Sequence, residues 1–136
     1  MSDNDLTRAM VRENKKSAYA VDIEVSGYEL AGDEPESFGG GGTGPAPYDL
    51  LAAALGECTA MTIRWYALRE KWPLDHVEVE LTHEKQGKRD VFTKHIKIEG
   101  ADLTAEQRKK LVEIAAKCPV QRTLEGTPTI TTEKLD

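Results

Sequence analysis

Cysteine is scarce in this chain: Cys58 and Cys118 are the two in 136 residues. Long apolar runs are lacking as well. The longest, Leu50 to Leu55, is far too short to cross a bilayer. The opening stretch "MSDNDLTRAMVRENKK" has no apolar signal core, so the cytosol is the expected compartment. Thiols are kept reduced there, which argues against a standing structural disulfide and leaves the cysteines either inert or reactive. Basic clusters are missing too. The formal charge is -6 with Lys and Arg scattered, which excludes the positive patch that nucleic acid or an anionic membrane would need. No Cys-x-x-Cys or His-x-x-x-His pair accompanies His76, His83 and His95, which argues against a metal site. The run Gly39 to Gly42 is followed by no Gly-Lys-Ser/Thr and sits in no strand-Gly-x-Gly-x-x-Gly-helix context, which argues against a nucleotide site. No Ser-His-Asp set with a nucleophile elbow is visible.

Periodicity organises what is present. Residues 1–16 read as a polar arm and 17–136 as a single domain. Val21, Ile23 and Val25 alternate with Asp22 and Glu24, a strand with one buried face; Ser26-Gly27 turns it into a second strand at Tyr28 and Leu30. The glycine run reads as a flexible connector. A helix is expected from about 47 to 71, with Pro47 in its first turn, Asp49 at its positive end and Pro73 beyond its stop. Leu51, Leu55, Cys58, Met61 or Thr62, Trp65 and Leu68 recur at steps of three and four, predicting one buried stripe. Leu50 to Leu55 is apolar all round and calls for cover on more than one side, a first hint of a dimer. "LDHVEVELTHEK" and "VFTKHIKIEG" form a second hairpin, with Val77, Val79, Leu81 and His83 on one face and Phe92, Ile96 and Ile98 on the matching one. Thr104 and Gln107 make a capping box for a helix that buries Leu111, Ile114 and Ala115. A helical turn after Cys118 stops at Gly126, and "PTITT" reads as a final strand. The order β-β-α-β-β-α-β is an α+β class with antiparallel sheets.

Each cysteine, taken alone, reads first as packing. Cys58 is mid-helix, where burial and a nearby Glu57 carboxylate raise a thiol pKa. Cys118 has more in its favour. Pro119 makes it the N-cap of a helical turn, and Lys117 and Arg122 would lower its pKa if they approach.

Together the two segments carry more. "GPAPYDLLAAALGECTAMTIRWYA" and, some way on, "CPVQRTLEG" resemble the OsmC/Ohr family, the osmotically inducible and organic hydroperoxide resistance proteins. Asp33-Glu34-Pro35, Gly39 to Gly42, Gly44 to Leu51 and Lys71-Trp72-Pro73-Leu74 fit its OsmC-like branch in order and spacing. The resemblance implies an intertwined homodimer with sheets wrapped around central cysteine-bearing helices. It also implies a peroxidase that needs no cofactor. Cys58 would attack an organic hydroperoxide and become a sulfenic acid, Cys118 would close a disulfide, and an external dithiol would reduce it. Peroxidase members carry a glutamate ten residues before the first cysteine, paired with an N-terminal arginine. Here Tyr48 holds the first place with Asp49 beside it, and Arg8 and Arg12 are the available arginines. Family members tend to have a small residue where Glu57 stands. The alternatives are a ligand-binding OsmC-like protein with little turnover, or a redox sensor storing a Cys58–Cys118 disulfide.

Overall fold

The computed structural model describes residues 6–136, so the first five residues of the expected arm lie outside the described part. The chain forms two compact units, Met1–Leu51 and Ala52–Asp136.

The first unit is built on a three-stranded antiparallel sheet in the order β1 (Ala9–Glu13), β2 (Val21–Val25), β3 (Tyr28–Gly32). The expected hairpin is β2–β3. Ser26 and Gly27, with φ of 51° and 83°, both take the left-handed conformation that a tight hairpin turn requires. The strand β1 falls inside the stretch read as a polar arm. Its polar composition hides it, yet Val11 pairs with Ile23 and Ala9 with Val25, and Arg12 reaches diagonally to Glu24 at 3.8 Å. Pairing with an open strand edge recruits a segment whose own pattern is weak.

The glycine run is no flexible connector. A short 3-10 turn, Glu36–Phe38, leads into it, and the buried Asp33 carboxylate holds it. That carboxylate accepts five hydrogen bonds: from the Ser17 and Thr43 hydroxyls, both at 2.8 Å, and from the backbone N–H of Glu34, Gly41 and Thr43 at 2.8, 3.1 and 3.1 Å. Gly42 sits at φ 65°, and a Cβ on Gly40 would overlap the Glu34 carbonyl, so these two positions demand glycine.

Helix α1 (Pro47–Glu70) continues into the second unit, which adds the hairpin β4 (His76–Gln86) and β5 (Arg89–Glu99) and the helices α2 (Ala105–Ala115) and α3 (Pro119–Glu125). The α1 stripe differs from the expected one. Leu55, Cys58, Thr59, Thr62, Ile63, Tyr66 and Ala67 are buried, whereas Met61, Trp65 and Leu68 are exposed. Steps of three and four from Leu51 to Leu68 drift by about 100° around a helix of 3.6 residues per turn, while the eleven steps from Leu55 to Tyr66 make about three whole turns. The main core lies beyond the cysteines, where Ile63, Tyr66 and Ala67 pack with Leu74, Leu103, Leu111, Ile114 and Ala115. Gln107 N–H donates to the Thr104 hydroxyl at 3.0 Å and Thr104 N–H to the Gln107 side chain at 2.9 Å, completing the capping box of α2. Residues 127–136 carry no regular structure, so the strand expected at "PTITT" is absent. Ile130 there is largely exposed and has no sheet partner, so alternation alone made no strand.

Asp33 sets a pH dependence for the first unit. Burial alone would raise its pKa, but bonds from Thr43, Ser17 and the Thr43 and Glu34 N–H groups outweigh it and hold the carboxyl far below the usual range. Its contribution to stability is therefore complete above the unfolded-chain pKa of about 3.9 and is lost as pH falls toward the lower folded value. Amide exchange at Gly41 and Thr43, taken relative to the unfolded-chain rate at each pH, should speed up below about pH 4, where an unfolded aspartate takes up its proton. In Asp33→Ala it should be fast at neutral pH, while β4–β5 is unaffected. Protection unchanged in that variant would show that the loop holds itself.

Candidate functional site

Cys58 and Cys118 are free thiols buried at 5% and 0% exposure in one small cluster with Leu55, to which Leu81, Phe92 and Val120 add apolar cover. Three features of the local sequence bring them together. The Leu55-Cys58-Thr59-Thr62 stripe turns Cys58 inward from α1. Gly56 lets the helix approach the hairpin, since a Cβ there would meet Leu81 at 3.3 Å. A mid-helix glycine costs about 1 kcal/mol against alanine, so its place here is explained by that contact. Pro119 then starts α3 and leaves Cys118 as its N-cap, with the sulfur accepting the Gln121 N–H at 3.4 Å.

The surroundings of the two sulfurs differ. Around Cys118 the Thr59 hydroxyl stands at 3.6 Å and Lys94 Nζ at 3.7 Å. Thr59 Oγ1 also lies 2.7 Å from the Leu55 carbonyl, so its one proton is shared between that oxygen and the sulfur. Burial pushes the Cys118 pKa up, but the Gln121 N–H, the Thr59 hydroxyl, the Cys58 thiol and the Lys94 charge outweigh it, and the net direction is down. At Cys58 burial dominates, Cys118 adds to it, and the Val120 N–H and Thr62 hydroxyl oppose it only in part; its pKa moves up. Thr62 Oγ1 is buried without a hydrogen bond of normal geometry.

The other residues singled out from the sequence lie elsewhere. Arg122 and Lys117 are exposed, and the cation at the Cys118 sulfur is Lys94 instead. Arg12 is on β1, paired with Glu24. Asp49 accepts the Ala46 N–H at 2.9 Å at the start of α1, and Tyr48 lines a groove of about 680 Å³ with Phe38 in the first unit. Glu57 is exposed. Lys94 and Thr59 were missed. A usable signal existed for Lys94: in "VFTKHIKIEG" it shares the inward face with Phe92, Ile96 and Ile98. No group of three or more His, Cys, Asp or Glu able to hold a metal occurs among the described residues, and no described helix is long and apolar enough to cross a membrane.

The family model for OsmC-like proteins matches residues 39–133. No curated protein matches the chain. Among solved structures, an OsmC-like protein from Mycoplasma pneumoniae aligns with a TM-score of 0.74 at 16% identity, over 90% of this chain and 89% of that one. An organic hydroperoxide resistance protein from Elizabethkingia anophelis aligns at 0.70 and 18%, over 93% and 92%. An organic hydroperoxide resistance protein OsmC from Legionella pneumophila aligns at 0.65 and 21%, over 92% and 93%. At these identities the likeness is one of fold.

Thr59→Val keeps the volume and removes a donor from the Cys118 sulfur. Cys118 should then ionise at higher pH and alkylate several-fold more slowly at neutral pH, measured by mass spectrometry after timed iodoacetamide exposure. An unchanged pH profile would remove Thr59 from the thiol's electrostatic surroundings.

Proposed function

Since the chain belongs to the OsmC-like family, we propose that it is a thiol-dependent peroxidase, reducing organic hydroperoxides to alcohols through Cys58 and Cys118. An external dithiol in the cytosol regenerates the pair. The observation that carries this reading is the pair itself: two free cysteines, distant in sequence, buried side by side among Leu55, Leu81, Phe92 and Val120 with hydroxyl, amide and ammonium donors at hand. A sulfenic acid formed by peroxide is reversible when a neighbouring thiol captures it as a disulfide before further oxidation. The apolar cover favours hydroperoxides with hydrocarbon tails, and the hydroperoxide resistance proteins among the structural relatives support the same substrate class. Family resemblance assigns the attack to Cys58 and the capture to Cys118. The Thr62 hydroxyl, one turn along α1, faces Cys58 and favours its thiolate.

One observation favours a second reading, ligand binding with little turnover: burial pushes the Cys58 thiol up. Turnover separates the two. Purified protein should consume an alkyl hydroperoxide with a dithiol reductant through many cycles, and Cys58→Ser or Cys118→Ser should each abolish it. Equal turnover in wild type and variants would sink the peroxidase reading, and no turnover in wild type would leave the binding one.

The working unit is a homodimer. Met61, Trp65 and Leu68 are 54%, 49% and 67% exposed on one face of α1, continuous with exposed Ala53 and Ala54. The family resemblance puts this helix at the centre of a dimer, so a second copy is the natural cover. Sedimentation should give twice the chain mass, and Trp65→Glu should shift the population to monomer. A wild-type monomer at high concentration would contradict this.

A further inference from the structure

We propose that Lys94 is a positioning residue that acts through Cys118: it holds that sulfur as a thiolate to capture the Cys58 sulfenic acid, and it takes up the charge again when Cys118 departs during reduction. The inference rests on the peroxidase reading above, with Cys58 as the attacking thiol, and adds the group that drives the two later steps.

Lys94 comes from the inward face of β5, and its ammonium has three N–H donors. Three acceptors take them: the Ala115 carbonyl at 2.9 Å, the Gln121 side-chain oxygen at 2.6 Å and the Cys118 sulfur at 3.7 Å. Of these three the sulfur alone can carry a negative charge, and among the described residues no carboxylate pairs with Lys94. A half-buried cation is stabilised by a counter-charge, and a Cys118 thiolate supplies one. The two neutral bonds fix the ammonium, since Ala115 ends α2 and Gln121 lies in α3, on either side of Cys118. The other titratable groups near Cys118 are Cys58 from α1 and, at one remove, Glu125 of α3, which accepts from the Gln121 amide at 3.3 Å. Lys117 and Arg122 are exposed. Because α3 is only seven residues long, the weight falls on Lys94 rather than on the helix end. The net downward direction of the Cys118 pKa, won against burial, agrees with this geometry. Beyond its own burial, Cys58 answers to the Val120 N–H, Cys118 and the Thr62 hydroxyl, so Lys94 serves one sulfur of the two.

Full burial suits Cys118 to this part, because its target is the neighbouring sulfur and no outside molecule has to reach it. Cys58 attacks the terminal oxygen of a hydroperoxide; an S–O bond forms, the O–O bond breaks, and the alcohol leaves with the Cys58 proton. The Cys118 thiolate then attacks the Cys58 sulfur; the S–S bond forms, and hydroxide departs to take a proton from solvent. The two sulfurs have lost the two electrons that the peroxide gained. An external dithiol next attacks the Cys58 sulfur, the less buried of the two, and Cys118 leaves as a thiolate beside Lys94. The second thiol of the reductant breaks the mixed disulfide and releases Cys58. The reductant departs as a disulfide, having returned two electrons, with one proton to Cys58 and one to solvent. Capture quickens with the thiolate fraction and departure quickens as the leaving thiol's pKa falls, so one lysine assists both steps.

Single-turnover oxidation tests this. With one equivalent of alkyl hydroperoxide and timed acid quenching, mass spectrometry reads the Cys58 sulfenic acid and the Cys58–Cys118 disulfide separately. In Lys94→Met the sulfenic acid should form no more slowly than in wild type. The disulfide should close on the order of tenfold more slowly at neutral pH. That deficit should shrink as pH rises past about 8.5, where an ordinary thiol ionises unaided. Lys94→Arg should restore closure, and excess peroxide should drive Cys58 of Lys94→Met to sulfinic acid. Closure of Lys94→Met at the wild-type rate, or a deficit equal at every pH, would overturn the proposal. Thermal unfolding checks that each variant is folded. If Lys94→Met is not, thiolate ultraviolet absorbance of Cys58→Ser decides: Cys118 ionising below about pH 8.5 supports the proposal, and ionising no lower overturns it. A second arm needs no peroxide. The disulfide formed with diamide should be reduced by dithiothreitol more slowly in Lys94→Met than in wild type. If wild type forms no sulfenic acid yet this difference is seen, the peroxidase reading fails while the Lys94 assignment stands; without the difference both fall.

Discussion

A buried sulfur must find its polar partners inside the protein, and every element around the Cys118 sulfur is placed by that need. Thr59 reaches it from α1, Lys94 from β5 and the Gln121 N–H from α3, while the Ala115 carbonyl closing α2 holds the lysine in position. These are four separate stretches of chain. None makes the site alone, and a shift of any one leaves a buried polar group short of a partner, which costs about 1–3 kcal/mol. The thiol pair thus ties the helices of the second unit to its hairpin.

Its apolar cover matters as much as its donors. Leu55, Leu81, Phe92 and Val120 keep the local dielectric low, so the Lys94 charge acts on the sulfur with little screening. The same burial, with no cation beside it among the described residues, opposes ionisation of Cys58. One apolar cluster therefore treats two identical side chains differently. α1 serves both ends of this arrangement. One face packs the thiol cluster and the core around Ile63 and Leu111, and another presents Met61, Trp65 and Leu68 outward.

The limits of pattern reading show at particular residues. The Thr104–Gln107 capping box, the inward face of α2 and the N-cap at Cys118 were legible because each depends on neighbours within a few positions. β1 and the missing "PTITT" strand were misread for one reason: a strand exists by having a partner edge, and partner edges are not local. The glycine run looked flexible because its anchor, Asp33, belongs to a different motif in the sequence. On α1 the drift of a three-four pattern sent Met61, Trp65 and Leu68 to the wrong side.

By itself the sequence determined the α+β class, the two hairpins, the long helix, the family and the two cysteines as its chemical focus. Those rest on periodicity, caps and motif order, all short-range. The tertiary structure alone decided which charge stands next to which sulfur. Arg122 and Lys117 were the near cations along the chain, yet the strand pleat and the turn into α3 bring Lys94 to Cys118 from twenty-four positions away. Electrostatics acts across space rather than along sequence, so the polarity of the thiol pair could be read only once the chain had folded.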